Sequence, residues 1–185
     1  MRVPVELRRA YRLINHGPTT IITAAAGEQR SAMAAAWVMP LDFEPARLAA
    51  VFAKDTHTRG LIDASGELVV NLPTVAQLDL AYAVGKQSGR DFDKFAAHAI
   101  AVEPASLVAA PLIVGCAAWL ECRVLAEPDL QARYDLYLLE VLAAWADDRI
   151  FSSGQWHFPD PTTRTIHHVT AGVFFATGDP VEPTR

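Results

Sequence analysis

Residues 117–126 alternate between apolar and polar side chains, and this pattern constrains the fold more than any other part of the chain. Leu120 and Val124 fall on one face of an extended segment. Glu121 and Arg123 fall on the other face, because successive side chains of a strand point in opposite directions. A second long apolar segment follows a proline-containing turn, so the pair predicts an antiparallel hairpin.

Other short segments rich in β-branched or apolar residues also end at turn residues, which is typical of strands. With the partner strand of the hairpin, the strands are predicted over 18–26, 31–38, 48–53, 67–72, 134–146 and 165–177. Helical spacing and capping residues predict short helices from Thr56 or Thr58 to Ala64, over 75–84 and over 92–96. Loops are expected over 41–45 and 85–93, and a short helix or extended lead-in over 5–14.

Six or more strands with few helices predict a mainly β protein, built as a closed or half-closed antiparallel barrel with helical decorations. A doubly wound sheet is disfavoured because strands and helices do not alternate. The 185 residues suit a single domain, with a core over about 15–177 and a polar C-terminal tail. Neither GxGxxG nor GxxxxGK[ST] occurs, so the usual nucleotide-binding motifs are missing from the sequence.

The charge balance argues against nucleic acid as a partner. Asp and Glu total 21 against 16 Lys and Arg, which gives a formal net charge of −5.

No apolar run approaches the roughly 20 residues that a membrane-spanning helix needs, and residues 1–6 lack the apolar core of a signal peptide. We therefore expect a cytoplasmic protein.

The cysteines and histidines do not predict a metal site or a disulfide. If Cys116 and Cys122 lie on one strand, six residues at roughly 3.3 Å each put them about 20 Å apart. This is too far for a disulfide, and there is no CxxC pattern. His167 and His168 are adjacent, so on a strand they point to opposite faces and do not share a metal.

The strand predicted over 31–38 has unusually small side chains. Met33, Ala35 and Trp37 share one face of it. The alanines leave the backbone uncovered, so a planar heterocycle can approach closely and accept hydrogen bonds from strand N–H groups, with Trp37 at one edge. The alternative is a strand packed closely against a neighbouring element, with Trp37 in the core.

A group of hydroxyl and cationic side chains lies at the predicted start of the following helix. Thr56 and Thr58 supply hydroxyl groups, and Lys54 and Arg59 supply positive charge. A helix N-terminus also carries free N–H groups and partial positive charge, which bind anions. The pattern favours a phosphate site, and the alternative is a capped surface helix with solvated charges.

Five blocks in this order make the sequence similar to a known family. They cover 33–45, 54–62, 65–73, 88–95 and 120–124. In these blocks the chain resembles the flavin reductase-like family, which includes the flavoredoxins. The resemblance spans roughly residues 15–175 and implies an antiparallel, Greek-key-like FMN-binding split β-barrel. One departure is visible at residues 45–48, where the family commonly has two prolines followed by an aliphatic residue.

The resemblance implies a homodimer with flavin mononucleotide (FMN) at or near the subunit interface. It assigns the flavin ring to the segment formed by Met33, Ala34, Ala35, Ala36 and Trp37. It assigns the phosphate to Lys54, Thr56 and Thr58, and a loop bordering the cofactor to Ser88, Arg90 and Lys94. His168 in the late strand faces the flavin or nicotinamide, and His57 either contacts the phosphate or is solvated.

These assignments predict an FMN-dependent oxidoreductase that takes hydride from NADH or NADPH and reduces free flavin, ferric iron or a partner protein. The cofactor carries the chemistry, so no catalytic side chain is predicted. Asp91 and Asp93 are interpreted as surface ion-pair partners and Cys122 as a buried, inert thiol. Two alternatives stay open: an FMN-binding electron carrier without NAD(P)H oxidation, and a split barrel that has lost its cofactor.

Overall fold

The computed structural model describes residues 17–184. The expected lead-in over 5–14 lies outside them. The main strands are β1 (Thr20–Ala26), β2 (Gln29–Ala35), β3 (Val38–Phe43), β4 (Ala46–Val51), β5 (Glu67–Leu72), β8 (Ala118–Leu125) and β9 (Leu136–Ala146). The shorter strands are β6 (Val102–Glu103), β7 (Leu112–Ile113), β10 (Phe151–Ser152), β11 (Gln155–Trp156), β12 (Ile166–Thr170) and β13 (Val173–Ala176). The α-helices are α1 (His57–Ser65), α2 (Leu78–Lys86), α3 (Lys94–Ala97) and α4 (Pro128–Tyr134), and 3-10 turns cover Val75–Gln77 and Pro161–Thr163.

The seven main strands form one sheet in the order β2-β1-β5-β8-β9-β4-β3, and every neighbouring pair is antiparallel. Neighbours in this order are often distant in the chain, as expected of Greek-key-like connections. Among the described strands, β2 and β3 each pair with one neighbour, so the sheet is open between them. The mainly β, antiparallel fold class predicted from the sequence is confirmed.

One apolar core lies on the inner face of this sheet. Ile22, Leu68, Cys122 and Leu139 come from four different strands and are fully buried there. Helix α1 packs Leu61 and Ile62 onto the same cluster. Gly66 ends this helix in the left-handed conformation, with φ 72°, and its N–H donates to the Ile62 carbonyl, so β5 starts one residue later.

A second core covers the outer face of β1 and β2. Ile21 and Ala32 project from these strands onto Ala81 and Val84 of α2 and Phe95 of α3. The alanine-rich strand is therefore packed on both faces from Ser31 to Met33, whereas Gln29 and Arg30 at its start are exposed. Helices α1 and α2 thus lie on either side of β2, which positions the cleft described below.

Several predicted elements differ in the structure. Residues 41–45 were expected to form a loop, but β3 continues to Phe43, because an edge strand tolerates the proline at position 40. The predicted strand over 165–177 is wrong as a single strand: it is a hairpin that turns at Ala171 and Gly172, with φ 45° and 83°. The partner strand predicted from residue 134 begins at Leu136, because α4 occupies the connection. The helix predicted over 75–84 is a 3-10 turn followed by α2, which continues into the predicted 85–93 loop.

The polar face of β8 is buried where Glu121 lies. Its carboxylate accepts hydrogen bonds from the Ser106 N–H (3.0 Å) and hydroxyl (2.9 Å), the Leu107 N–H (2.6 Å) and the Trp145 indole N–H (2.8 Å). Burial raises the pKa of Glu121, but these four donors outweigh it and the net pKa lies below the usual value. The hydrogen bonds of Glu121 thus hold the loop between β6 and β7 against the sheet.

The two cysteines are buried free thiols. Cys122 lies on β8 as predicted, whereas Cys116 precedes that strand. Burial raises the pKa of each thiol to about 12, which agrees with the prediction that Cys122 is inert. The longest helices among residues 17–184 have nine residues, so none of them is long enough to cross a bilayer.

Candidate functional site

The alanine-rich strand β2 and the start of α1 are in direct contact. The Thr58 hydroxyl donates a 3.0 Å hydrogen bond to the Ser31 hydroxyl oxygen, and both side chains are buried. The Thr56 hydroxyl donates instead to the Ala53 carbonyl at 2.9 Å, so it does not cap the helix. The N–H groups of the first turn of α1 are therefore not satisfied by a Thr56 side-chain cap.

A cleft of about 320 Å³ opens at this junction between β2, α1 and the loop after α2. We call it the polar cleft. Eight of the thirteen site residues predicted from the sequence line it: Met33, Ala34, Thr56, His57, Thr58, Ser88, Arg90 and Lys94. The structure thus brings together predicted positions that span more than sixty residues of sequence.

Lys94 is the most unusual side chain of the polar cleft, since only 4% of it is exposed. Its ammonium group donates to the Ala32 carbonyl at 2.8 Å and the Val84 carbonyl at 2.7 Å. Among residues 17–184 no carboxylate lies within ion-pair distance of it. Burial therefore lowers the pKa of Lys94, and an anion in the cleft would supply the missing counter-charge.

The loop after α2 closes over the strand and the helix start. A side chain at Gly89 would place its Cβ 2.6 Å from the Ser31 hydroxyl oxygen and 3.0 Å from the His57 ring, so a larger residue would force the Ser31 side chain to move. Arg90 donates to the Asp55 carbonyl at 2.7 Å, and the Arg90 N–H donates to the Ser88 hydroxyl. The loop therefore holds its hydroxyl and its cation at the helix N-terminus.

A second cleft of about 330 Å³ adjoins the first, and the two share Ala34, Gly85 and Lys86. We call it the flat cleft, because its lining combines small residues such as Ala34, Ala81 and Gly85 with the rings of Tyr82 and Phe174. Two more predicted residues, Ala36 and His168, line it. His168 contacts Phe174 edge-on, with ring centroids 5.0 Å apart.

The sequence predictions missed the aromatic wall of the flat cleft. Tyr82 of α2 and Phe174 of β13 line it, and Gly172 packs so closely on Tyr82 that an added Cβ would lie 2.9 Å from the ring. The one turn residue between His168 and Phe174 is Gly172, and an Ala-Gly pair is not one of the usual two-residue hairpin turns. The sequence therefore contains little sign that His168 and Phe174 lie on paired strands.

Lys54 does not line either cleft, although the resemblance assigned it to the phosphate. Its ammonium group donates to the Ala132 carbonyl at 2.5 Å and lies 3.8 Å from the Asp135 carboxylate. Arg59 is also turned inward, and it binds the Phe52 carbonyl at 2.9 Å and Asp135 at 2.6 Å. Lys54, which precedes α1, and Arg59 within α1 are thus both paired at the end of α4.

Ala35 and Trp37 also lie outside the residues that line the two clefts. Ala35 faces the inner core. Trp37 connects β2 to β3, its carbonyl accepts the Val51 N–H at 3.0 Å, and 51% of it is exposed. Within residues 17–184, no group of three or more His, Cys, Asp or Glu side chains is arranged to hold a metal ion.

Comparisons with known proteins agree with this architecture. The profile of the flavin reductase like domain matches residues 12–159. The uncharacterized protein YddH of Escherichia coli (strain K12) is 44% identical over 179 residues, which cover 95% of each chain.

Solved structures are similar over nearly the whole chain. The FMN-binding domain of a flavin reductase-like enzyme from Shewanella baltica OS155 is 40% identical, with a TM-score of 0.88 over 98% of this chain and 97% of that one. The flavoredoxin of Desulfovibrio vulgaris (Miyazaki F) shares the fold at 20% identity, with a TM-score of 0.85 over 99% and 97% of the two chains. By its sequence profile and its 44% identical relative, this chain belongs to the flavin reductase-like family.

Proposed function

We propose that this protein is an FMN-binding oxidoreductase that takes reducing equivalents from NADH or NADPH and passes them to an electron acceptor. The observation that carries the proposal is the continuity of the two clefts, one polar and cationic and the other flat and lined by small and aromatic residues. FMN has the same division into a phosphate end and a planar ring. When bound, FMN supplies the hydride chemistry, and the protein supplies binding and orientation.

The polar cleft suits the phosphate and its negative charge. Lys94 is a buried cation with only carbonyl partners, and Arg90 lies on the loop that closes the cleft. The first turn of α1 adds N–H groups and the positive end of the helix dipole. Thr58 holds β2 and α1 together through Ser31, so these donors keep fixed relative positions.

The flat cleft suits the planar ring. Ala34 and Ala36 of the strand and the connection after it present only methyl groups, and Gly85 presents none. Among the described strands β2 pairs only with β1, so the outer edge of β2 has N–H groups that are not used by a neighbouring strand. Tyr82 and His168 also line this cleft, where their rings would orient a planar ligand and exclude water from it.

A second copy of this chain is the expected partner, because β3 presents an apolar row on the open edge of the sheet. Met39, Leu41 and Phe43 are 58%, 47% and 91% exposed. An exposed edge strand with large apolar side chains favours association. A homodimer through β3 would cover this row next to the segment that connects β2 to β3.

The proposal is tested by titrating the purified protein with FMN and then mixing the loaded protein anaerobically with NADH or NADPH in a stopped-flow instrument. We expect saturable quenching of FMN fluorescence, followed by loss of the visible flavin band within seconds with at least one nucleotide. A flavin band that persists with both nucleotides but is lost with dithionite would reject the reductase and leave the electron carrier. No FMN uptake would reject both.

A further inference from the structure

A third and larger cleft, of about 820 Å³, lies near the C-terminus of the chain. We call it the C-terminal cleft. It is bordered by residues 156–159 at the end of β11, by Arg164 and His167, and by residues 177–181 of the C-terminal segment. None of its lining residues lines the polar or the flat cleft. His167 and His168 are neighbours on β12, and each lines a different cleft.

One wall of the C-terminal cleft is aromatic. The rings of Trp156 and Phe158 are stacked, with an interplanar angle of 15° and centroids 6.1 Å apart. Phe151 supports Trp156 edge-on at 5.0 Å, so the indole ring is held in place although 44% of Trp156 is exposed. Phe158 covers one side of the indole ring, and a planar ring would stack on the part of Trp156 that stays exposed.

The polar groups of this cleft favour an anion. Arg149 and Arg164 line it, and its one carboxylate, Asp179, is already bound to Arg164. Arg149 donates hydrogen bonds from Nε and Nη2 to the Asp147 carboxylate, at 3.0 Å and 2.6 Å. This leaves Nη1 of Arg149 without a hydrogen-bond partner among residues 17–184. Each arginine is thus paired with an aspartate, and the free Nη1 donor of Arg149 is the group that the cleft offers to an anion.

Two buried polar atoms beside the cleft also lack partners. Within residues 17–184 three buried side-chain nitrogens make no hydrogen bond, and two of them are Nε of Arg164 and Nδ1 of His167. Both side chains are held by the C-terminal segment, because Arg164 donates to the Thr177 carbonyl at 2.9 Å and His167 bonds the Thr177 hydroxyl at 2.9 Å. Buried donors and acceptors are normally satisfied, so two unsatisfied nitrogens beside one cleft are unusual and suit a polar ligand there.

From these observations we infer that the C-terminal cleft binds a planar aromatic anion, a carboxylate or a phosphate ester, at a site separate from the two flavin clefts. The ring stacks on Trp156, and the anionic group pairs with Arg149. The ligand is held without a covalent step.

The test is isothermal titration calorimetry of the FMN-supplemented protein with 2-naphthoate, 2-naphthyl phosphate and the uncharged 2-naphthalenemethanol. We expect saturable binding of at least one of the two anions, and the tighter one identifies the anionic group. Trp156→Ala weakens this binding, and Arg149→Gln weakens it roughly tenfold, as expected for a lost charge-assisted hydrogen bond. Arg149→Gln leaves the binding of 2-naphthalenemethanol unchanged.

Tyr134→Ala and Arg133→Gln are matched controls, because both residues lie on α4 and are exposed. Neither control changes the binding of the probes. The inference is overturned if no anion binds the folded protein, if the controls weaken binding as much as the cleft variants, or if excess FMN displaces the probe. The last result would place the probe in the flavin clefts and would leave the proposed function intact.

Discussion

The Thr58 hydroxyl donates to the Ser31 hydroxyl across 3.0 Å, and this buried contact joins the first turn of α1 to the alanine-rich strand β2. The two residues are 27 positions apart in the chain. Because α1 borders the polar cleft and β2 borders both clefts, the contact fixes the phosphate end of the proposed site relative to its ring end.

Removing either hydroxyl should therefore weaken both the fold and FMN binding. We expect Thr58→Val and Ser31→Ala each to lower the free energy of unfolding by about 1 kcal/mol, the usual net contribution of one hydrogen bond. The double variant should cost less than the sum of the two, because both changes remove the same interaction. Urea unfolding of the wild type, the two single variants and the double variant measures these free energies. If the loss in the double variant equals the sum of the two single losses, the two hydroxyls are not coupled.

Lys94 and Lys54 give a matched pair for the phosphate. Lys94 is buried at the polar cleft, whereas Lys54 is held at α4. We expect Lys94→Met to weaken FMN binding by about 1.5–3 kcal/mol, the contribution of a hydrogen bond to a charged group, and Lys54→Met to leave it unchanged. Fluorescence titration measures the Kd, with thermal melts of both variants as the control for folding. Equal effects of the two substitutions would reject this assignment of the phosphate.

The fate of these cations shows what the sequence could and could not predict. A threonine-rich helix start with flanking cations predicted an anion site, and the helix start does border the polar cleft. The sequence could not show that Lys54 and Arg59 bind Asp135, which lies 76 residues beyond Arg59 and depends on the left-handed turn at the end of α4. A lysine expected only to border the cofactor, Lys94, proved to be the buried cation.

The strands also show which parts of the fold the sequence could and could not predict. Strand β5 was predicted with its observed bounds, because Gly66 and Pro73 mark both ends and its residues are β-branched or apolar. Strand β3 was missed, since its proline and acidic residues are typical of loops and its pairing with β4 is a tertiary contact. Burial of Glu121 was also missed, because the loop that covers it is remote in sequence.

Glu121 should make stability depend on pH. Its folded-state pKa is lowered, so its contribution is fully present above the unfolded pKa of about 4.3 and is lost as the pH falls through the folded value. We expect Glu121→Gln to cost roughly 1.5–3 kcal/mol at neutral pH, because an amide N–H₂ group would face a backbone donor. Urea unfolding at several pH values should show this difference shrinking below about pH 4.3.

A surface glutamate on the neighbouring strand is the control for this prediction. Glu140 pairs with Arg123 at 2.7 Å, but the pair is partly exposed, and Glu140→Gln should cost less than about 1 kcal/mol. If the difference in free energy of unfolding between Glu121→Gln and the wild type stays constant down to acid pH, the charge of this carboxylate does not stabilise the fold.

The open edge of the sheet should control the oligomeric state. Replacing both Met39 and Phe43 with serine removes two exposed apolar side chains from β3, and we expect the dimer to dissociate. Light scattering after size-exclusion chromatography gives the mass. Leu107→Ser, at a position 58% exposed away from β3, is the control and should stay dimeric. A dimer that survives the double change must use another surface.

Ala34 tests whether the two clefts form one site, because it borders both of them and is partly exposed between its buried neighbours Met33 and Ala35. The Ala34 methyl group already lies so close to α2 that a Cβ at Gly85 would come within 3.0 Å of it. A leucine at position 34 therefore projects into the shared space between the clefts. We expect Ala34→Leu to abolish FMN uptake, as measured by fluorescence titration, because the larger side chain blocks the passage from the phosphate end to the ring end.

Ala46→Leu, an equal change at an exposed position of β4, should bind FMN normally and serves as the control. FMN bound by Ala34→Leu with unchanged affinity would mean that the cofactor does not extend from one cleft into the other.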